Sequence, residues 1–191
     1  MRTCDAIGIS EAHAVSKEGK PMTFNNTAQG SQKWVSLKSH QNIEIAVDAL
    51  KSKGFKLYGT HLGVNAKDYR ACNYTGPTAF VMGAEKWGLS DSARELMDAG
   101  IFIPMRGMVQ SLNVSVATAI LLFEALRQRE CAGLIPENGE GLTKNNYDQA
   151  LFEWCYPDVA NWCKQEGRKY PDLNSQGEIL ENLPRKLKLK Y

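Results

Sequence analysis

The run Ile103-Pro104-Met105-Arg106-Gly107-Met108-Val109-Gln110-Ser111-Leu112-Asn113-Val114-Ser115-Val116-Ala117 governs the reading of this chain. It begins at the end of a short apolar strand, Ile101-Phe102-Ile103, which Pro104 stops. It closes inside a long helix, predicted over residues 112–129. Three polar residues, Ser111, Asn113 and Ser115, crowd the start of that helix, while its later turns are almost wholly apolar. One capping residue satisfies a helix start. Three suit a ligand, because a helix N-terminus offers free N–H groups and a positive dipole end to ligand oxygens. A capped buried helix is the plain alternative for the same residues. The preceding loop holds Gly107 and little charge, so its backbone can approach a ligand closely.

Upstream stands a second segment, Val81-Met82-Gly83-Ala84-Glu85-Lys86-Trp87-Gly88-Leu89, at a strand end before a helix. Strand, glycines and helix are the setting of the dinucleotide phosphate cradle. Gly83 and Gly88 fit it, but Glu85 occupies the middle glycine position, where a carboxylate repels a pyrophosphate. The acid expected about 20 residues further on is also missing, since Asp98 comes too early. A nicotinamide cofactor is therefore disfavoured, and an ordinary turn with two glycines is the simple reading of this segment alone.

Around these two segments the pattern alternates. Residues 11–15 are strand-like, and Trp34-Val35-Ser36-Leu37 alternates with period two. Residues 42–53 carry Ile43, Ala46, Val47 and Leu50 at helical spacing and run into Gly54. Residues 56–61 and 78–82 read as strands. Ser90 caps a helix through Met97 that Gly100 is expected to close. Strands alternating with helices predict an α/β fold with a mainly parallel sheet. Residues 133–141 hold three glycines and Pro136 and read as a linker. Beyond it, Tyr147, Ala150, Leu151 and Trp154 predict one helix, and residues 157–167 a second with Val159, Trp162 and Cys163 on one side.

Composition narrows the classes. The 191 residues suit one domain with an appendage; 43% are hydrophobic and 23% charged, which excludes wholesale disorder and collagen-like repeats. The longest apolar stretch, residues 116–123, is far short of the roughly 18 residues of a spanning helix. A net charge of +2 neither demands nor excludes a nucleic-acid partner. Five cysteines, an odd number without a Cys-x-x-Cys pair, read as reduced thiols, and His13, His40 and His61 show no metal-ligand spacing.

The two segments resemble motifs 2 and 3 of the SPOUT superfamily of methyltransferases, in its SpoU/TrmH branch. Arg2-Thr3-Cys4-Asp5-Ala6-Ile7-Gly8 resembles the latter half of motif 1. The likeness extends through Trp34-Val35, Thr60-His61-Leu62 and the helical tail around residues 151–156. It implies an α/β fold with helices on both faces of a mainly parallel sheet and a C-terminal trefoil knot, over residues 1–133. A linker, a helical extension and a basic tail then fill residues 134–191. Pattern alone could not predict a knot, since knots are rare exceptions to the usual connection rules.

By the same resemblance the knot binds S-adenosyl-L-methionine through Thr60, His61, Leu62, Gly83 and its neighbours to Glu85, Ile103 to Met105, Ser111 and Leu112. The implied reaction is 2′-O-methylation of a guanosine ribose in tRNA, in the D-loop at tRNA position 18, by a cytoplasmic homodimer without a metal. Arg2, Glu85, Ser111 and Asn113 are the implied catalytic residues. Arg2 would anchor phosphate and steady the forming alkoxide, because a guanidinium has no acceptor and makes a poor base. Ser111 and Asn113 would orient Arg2 or the ribose, and Glu85 would order the knot loop or hold the partner's arginine.

The sequence departs from the family pattern in lacking the strand and motif 1 asparagine that precede the arginine, so full catalysis is expected to need residues ahead of Met1. A catalytically impaired remnant that binds cofactor or RNA without turnover is the alternative. Trp87 has no implied role beyond packing or base stacking. The basic run from Arg185 to Lys190 suits either phosphate contact or plain solvation.

Overall fold

The computed structural model of the chain describes residues 1–16, 35–84, 87–135 and 144–184. The chain divides into two compact units, Met1–Ile135 and Pro136–Tyr191.

In the first unit, α1 (Arg2–Ala6) opens directly on the N-terminus, a helical turn that no cap or period in the sequence marks; Asp5 N donates to the Met1 carbonyl at 3.0 Å. Strands β1 (Glu11–Val15) and β2 (Ser36–His40) pair in parallel. The second starts two residues later than its period-two reading, after the buried Val35, and Trp34 lies outside the described residues. Helix α2 (Ile43–Lys51) is capped by Asn42, whose side chain accepts from Ile45 N. Its buried Ala46 and Val47 lie on the predicted face.

Four parallel strands follow: β3 (Lys56–Thr60), β4 (Lys67–Asp68), β5 (Thr78–Val81) and β6 (Ala99–Phe102), in the spatial order β4-β6-β3-β5. Helix α3 (Asp91–Glu95) is capped by Ser90 as expected but ends two residues short of Met97. Gly100 does not close it. It lies within β6, opposite Gly59 of β3, and the predicted strand 101–103 begins two residues earlier, at Ala99. Helix α4 (Val114–Cys131) starts two residues later than predicted because Asn113, in extended geometry, is its cap and keeps Leu112 outside.

The core of this unit forms where α4 meets the sheet. Leu121 and Ala125 of α4 pack with Tyr58, Ile101 and Tyr74, all buried. Tyr58 and Phe80 meet Tyr74 at centroid distances of 5.0 and 4.9 Å in edge-on geometry, an arrangement aromatic quadrupoles favour. The end of α4 ties down the loop before β5. Gln128 accepts from Tyr74 N at 2.8 Å and donates to the Cys72 carbonyl at 3.0 Å, and Arg129 donates to the carbonyls of Tyr74 and Gly76. These bonds satisfy backbone groups that no strand reaches.

The second unit has its own core. Helices α5 (Lys144–Cys155) and α6 (Pro157–Gln165) bury Phe152, Tyr156, Val159, Ala160 and Cys163 together. Pro157 sits at the first helical turn, where a missing N–H costs nothing. Tyr170 stacks on Phe152 at 4.8 Å and donates to Glu153 at 2.6 Å.

Candidate functional site at the carboxyl edge of the parallel sheet

In open α/β sheets ligands sit outside the carboxyl ends of the strands. Here three neighbouring strands, β6, β3 and β5, deliver the loops beginning at Ile103, His61 and Met82 to one edge. Thr60 ends β3, and its Oγ1 donates to the Val81 carbonyl at 3.2 Å, fastening β3 to β5 at that edge. The His61 amide donates to the Ile101 carbonyl at 3.1 Å and fastens β3 to β6.

Two close approaches shape the edge. An added Cβ at Gly100 would lie 2.2 Å from His61 Nε2, so the imidazole rests on bare β6 backbone. The Nδ1 of the same ring is buried and lacks a hydrogen-bond partner. An added Cβ at Gly83 would lie 2.2 Å from the Gly88 carbonyl carbon and 2.4 Å from Leu89 N. The backbone at Gly83 and at Gly88–Leu89 is in close approach there. Ala84 N donates to the Gly88 carbonyl at 3.1 Å and Gly88 N returns a 2.8 Å bond to Ala84. Gly88 takes φ +65°, which glycine adopts without strain. Glu85 lies outside the described residues.

A cleft of about 560 Å³ opens at this edge, lined by Leu62, Asp68, Phe102, Ile103, Pro104, Met105, Arg106 and Gln110. Leu62, Ile103 and Met105 are among the residues singled out in the sequence. Thr60, His61, Gly83, Ser111 and Leu112 do not line this cleft. Ser111 is exposed and Leu112 half-buried just ahead of α4. The Asn113 Oδ1 accepts from Ser115 N at 2.8 Å, so Asn113 is a working cap. Arg2 is exposed on α1, which packs against α4.

Four lining residues, Asp68, Phe102, Arg106 and Gln110, were not singled out in the sequence as site residues. Phe102 was read only as part of a strand, and Arg106 and Gln110 stand inside the run 103–117, where nothing in their spacing set them apart. Asp68 belongs to a two-residue strand, too short for periodicity to reveal. Hydrogen bonds from the Arg70 guanidinium and the Arg70 amide, with Arg70 and Arg106 charges adding, hold the Asp68 carboxyl down at about 2. The cleft thus presents a fixed anion, a cation at Arg106 and an apolar wall of Leu62, Phe102, Ile103 and Met105. Among the described residues, no group of three or more His, Cys, Asp or Glu could hold a metal, and no helix is long and apolar enough to cross a membrane.

Comparison with known proteins gives the same picture. Residues 1–123 match the SpoU rRNA Methylase family, and residues 127–182 match the C-terminal region of SpoU rRNA methylases. The chain is 46% identical over 179 residues to tRNA (guanosine(18)-2′-O)-methyltransferase of Escherichia coli K12, covering 94% of this chain and 78% of that protein. Its fold superposes on the TrmH/SpoU tRNA modifying enzyme of A. aeolicus with a TM-score of 0.74 at 40% identity, over 83% of this chain and 80% of that one. It also superposes on the SpoU methyltransferase AviRb of Streptomyces viridochromogenes in complex with AdoMet, with a TM-score of 0.62 at 26% identity, over 68% and 54% of the two chains. Agreement along both segments of the sequence and in the fold is the signature of common descent, and the chain belongs to the SpoU rRNA methylase family, within the SpoU/TrmH branch of the SPOUT methyltransferases.

Proposed function

We propose that this chain transfers a methyl group from S-adenosyl-L-methionine to the ribose 2′-oxygen of a guanosine in tRNA, at tRNA position 18. One observation carries the reading: a cleft with both signs of charge and an apolar wall lies where β6 and β3 end, just before a helix capped by Asn113. The names of the relatives support the substrate and the position.

The residues present fit the cofactor. An adenosyl group needs an apolar wall, and the amino-acid end, a zwitterion, needs both an anion and a cation. The cleft offers Ile103 and Met105 for the first, and Asp68 and Arg106 for the second. The imidazole of His61, seated on Gly100 with an unpartnered Nδ1, adds an unmet hydrogen-bonding group beside the cleft. The backbone of 60–62, 83–84 and 103–105, with Ser111 and Leu112, completes the binding set in this reading.

When bound, the cofactor supplies an electrophilic methyl on a sulfonium, whose charge is cancelled as the oxygen attacks. The protein's task is then chiefly alignment, which is worth many powers of ten in rate when the reacting atoms are held in line. Arg2 holds the nucleotide phosphate and stabilises the oxygen as its charge develops. The substrate phosphate takes the hydroxyl proton. Asn113 spends its Oδ1 on the helix cap, so its amide N–H groups face the ribose, with Ser111 beside it. Glu85 orders the turn after β5 or holds the partner's arginine. The chain works as a homodimer in the cytoplasm; Val116 and Phe123, exposed seven residues apart on α4, support a face for a second copy. The trefoil threading of the family belongs to the same reading.

The test is methyl transfer from labelled cofactor to a tRNA transcript. Label is expected in the transcript and lost when guanosine 18 carries a 2′-deoxyribose. Equal labelling of both transcripts, or none of either, overturns the proposal.

A further inference from the structure

Asp68 ends β4 opposite Phe102 of β6, and this pairing delivers its carboxylate to the cleft. The chain enters a single helical turn, Tyr69–Ala71, at once, and Asp68 Oδ1 accepts from the Arg70 amide at 3.0 Å. That bond is all such a turn needs from an aspartate. The Arg70 guanidinium adds a second, two-pronged grip. Its Nε donates to Oδ1 at 3.0 Å and its Nη2 to Oδ2 at 2.7 Å. A planar fork of this kind fixes how a carboxylate is turned as well as where it stands. Arg70 is itself held, with its Cζ 5.5 Å from the centre of the Tyr69 ring. Tyr69 packs on the core, and its carbonyl accepts from the buried Tyr74 hydroxyl at 2.6 Å. Contacts thus run from the core through Tyr69 and Arg70 to a carboxylate that lines the cleft.

We propose that Arg70 is a positioning residue of the cofactor site, holding Asp68 in the orientation that receives the cationic amino group of S-adenosyl-L-methionine. This rests on the function proposed above. The exposures support the division of labour. The Arg70 side chain is 57% exposed and that of Asp68 31%, so water screens the guanidinium more than the carboxylate. The pair therefore still presents a negative group to the cleft. Arg106, whose charge reaches Asp68, lines the same cleft and suits the carboxylate end of the cofactor. A carboxylate free to rotate has to be frozen when its ligand arrives, which weakens binding. Arg70 freezes Asp68 beforehand.

The experiment measures two ligands by calorimetry: S-adenosyl-L-methionine, and methylthioadenosine, which keeps the adenosyl group and the sulfur but lacks the amino-acid end. The proteins are wild type, Arg70→Lys, Asp68→Asn and the double variant. Arg70→Lys keeps the charge and loses the fork. Each single variant is expected to bind S-adenosyl-L-methionine about tenfold more weakly. The double variant should be no weaker than Asp68→Asn, because Arg70 acts only through Asp68. Methylthioadenosine should bind all four proteins alike, which also shows that the variants are folded. Wild-type affinity for S-adenosyl-L-methionine in either single variant overturns the positioning role. So does a loss that methylthioadenosine shares, or losses that add in the double variant. In each of those outcomes wild type still binds the cofactor, and the proposed function stands. A wild type that binds neither ligand overturns the proposed function, and the role of Arg70 with it.

Discussion

Gly83 and Gly100 are both glycine for want of room, but against different neighbours. A methyl at Gly83 meets backbone, whereas at Gly100 it meets the imidazole of His61. Backbone cannot swing aside and a ring can. Gly83→Ala is therefore expected to cost about 1–3 kcal/mol of stability, the usual range for overpacking, and to weaken cofactor binding. Gly100→Ala should be partly rescued by His61→Ala, with a coupling of about 0.5–3 kcal/mol in a double-mutant cycle. Chemical denaturation of the three variants measures it, and strict additivity would show that the ring does not sit on Gly100. The sequence made Gly83 visible through its motif. It misassigned Gly100 to a helix end, because the contact that demands glycine comes from His61, remote in the chain and close only once β3 and β6 pair.

Elements were legible where a cap or a period marks them, as at Ser90 and through residues 42–53 and 157–167. They were hidden where length fails, as in β4, or where only a tertiary surface makes the turn hold, as in α1. Asn113 tests how one cap divides its duties. Asn113→Ala should lose about 1 kcal/mol of stability, while Asn113→Ser keeps the cap and restores it. If Asn113 also meets the ribose, Asn113→Ser remains stable but turns over at least tenfold more slowly; full turnover in the Ser variant would confine Asn113 to capping.

The β1–β2 pair makes a pH-dependent element. The Glu11 carboxylate can only accept, so His13 Nε2 donates to it at 2.9 Å; in neutral His13 the Nδ1 then accepts from His40 Nε2 at 2.8 Å. Burial pushes the Glu11 carboxyl up, but hydrogen bonds from Lys38 and His13, with the charges of Lys38 and Lys53, outweigh it and bring it to about 2. Burial, then the charges of His13 and Lys38, lower His40 from its ordinary 6.5. In both cases the unfolded chain holds more protons, so stability rises with pH. Denaturation midpoints should fall as pH drops below about 6.5 and fall again between about 4.5 and 2. His40→Asn should flatten the upper step and Glu11→Gln the lower; unaltered profiles in both variants would detach these residues from the acid response.

At the scale of the whole chain, each of the two compact units has a hydrophobic core of its own. Phe152→Ala removes the ring on which Tyr170 stacks and should cost about 3–5 kcal/mol in the second unit. Hydrogen exchange should speed up across α5 and α6, and unchanged protection there would mean the stack is dispensable. The strand order was beyond pattern reading, because periodicity says which residues face a core and nothing about which strand lies beside which. That order bears on synthesis as well as on chemistry. β3 finds both of its partners, β5 and β6, later in the chain than itself. While the polypeptide is being made, Lys56–Thr60 must wait with one edge unpaired until Val81 has emerged from the ribosome and with the other unpaired until Phe102 has. In that interval the nascent chain is most open to wrong pairing and most dependent on chaperones.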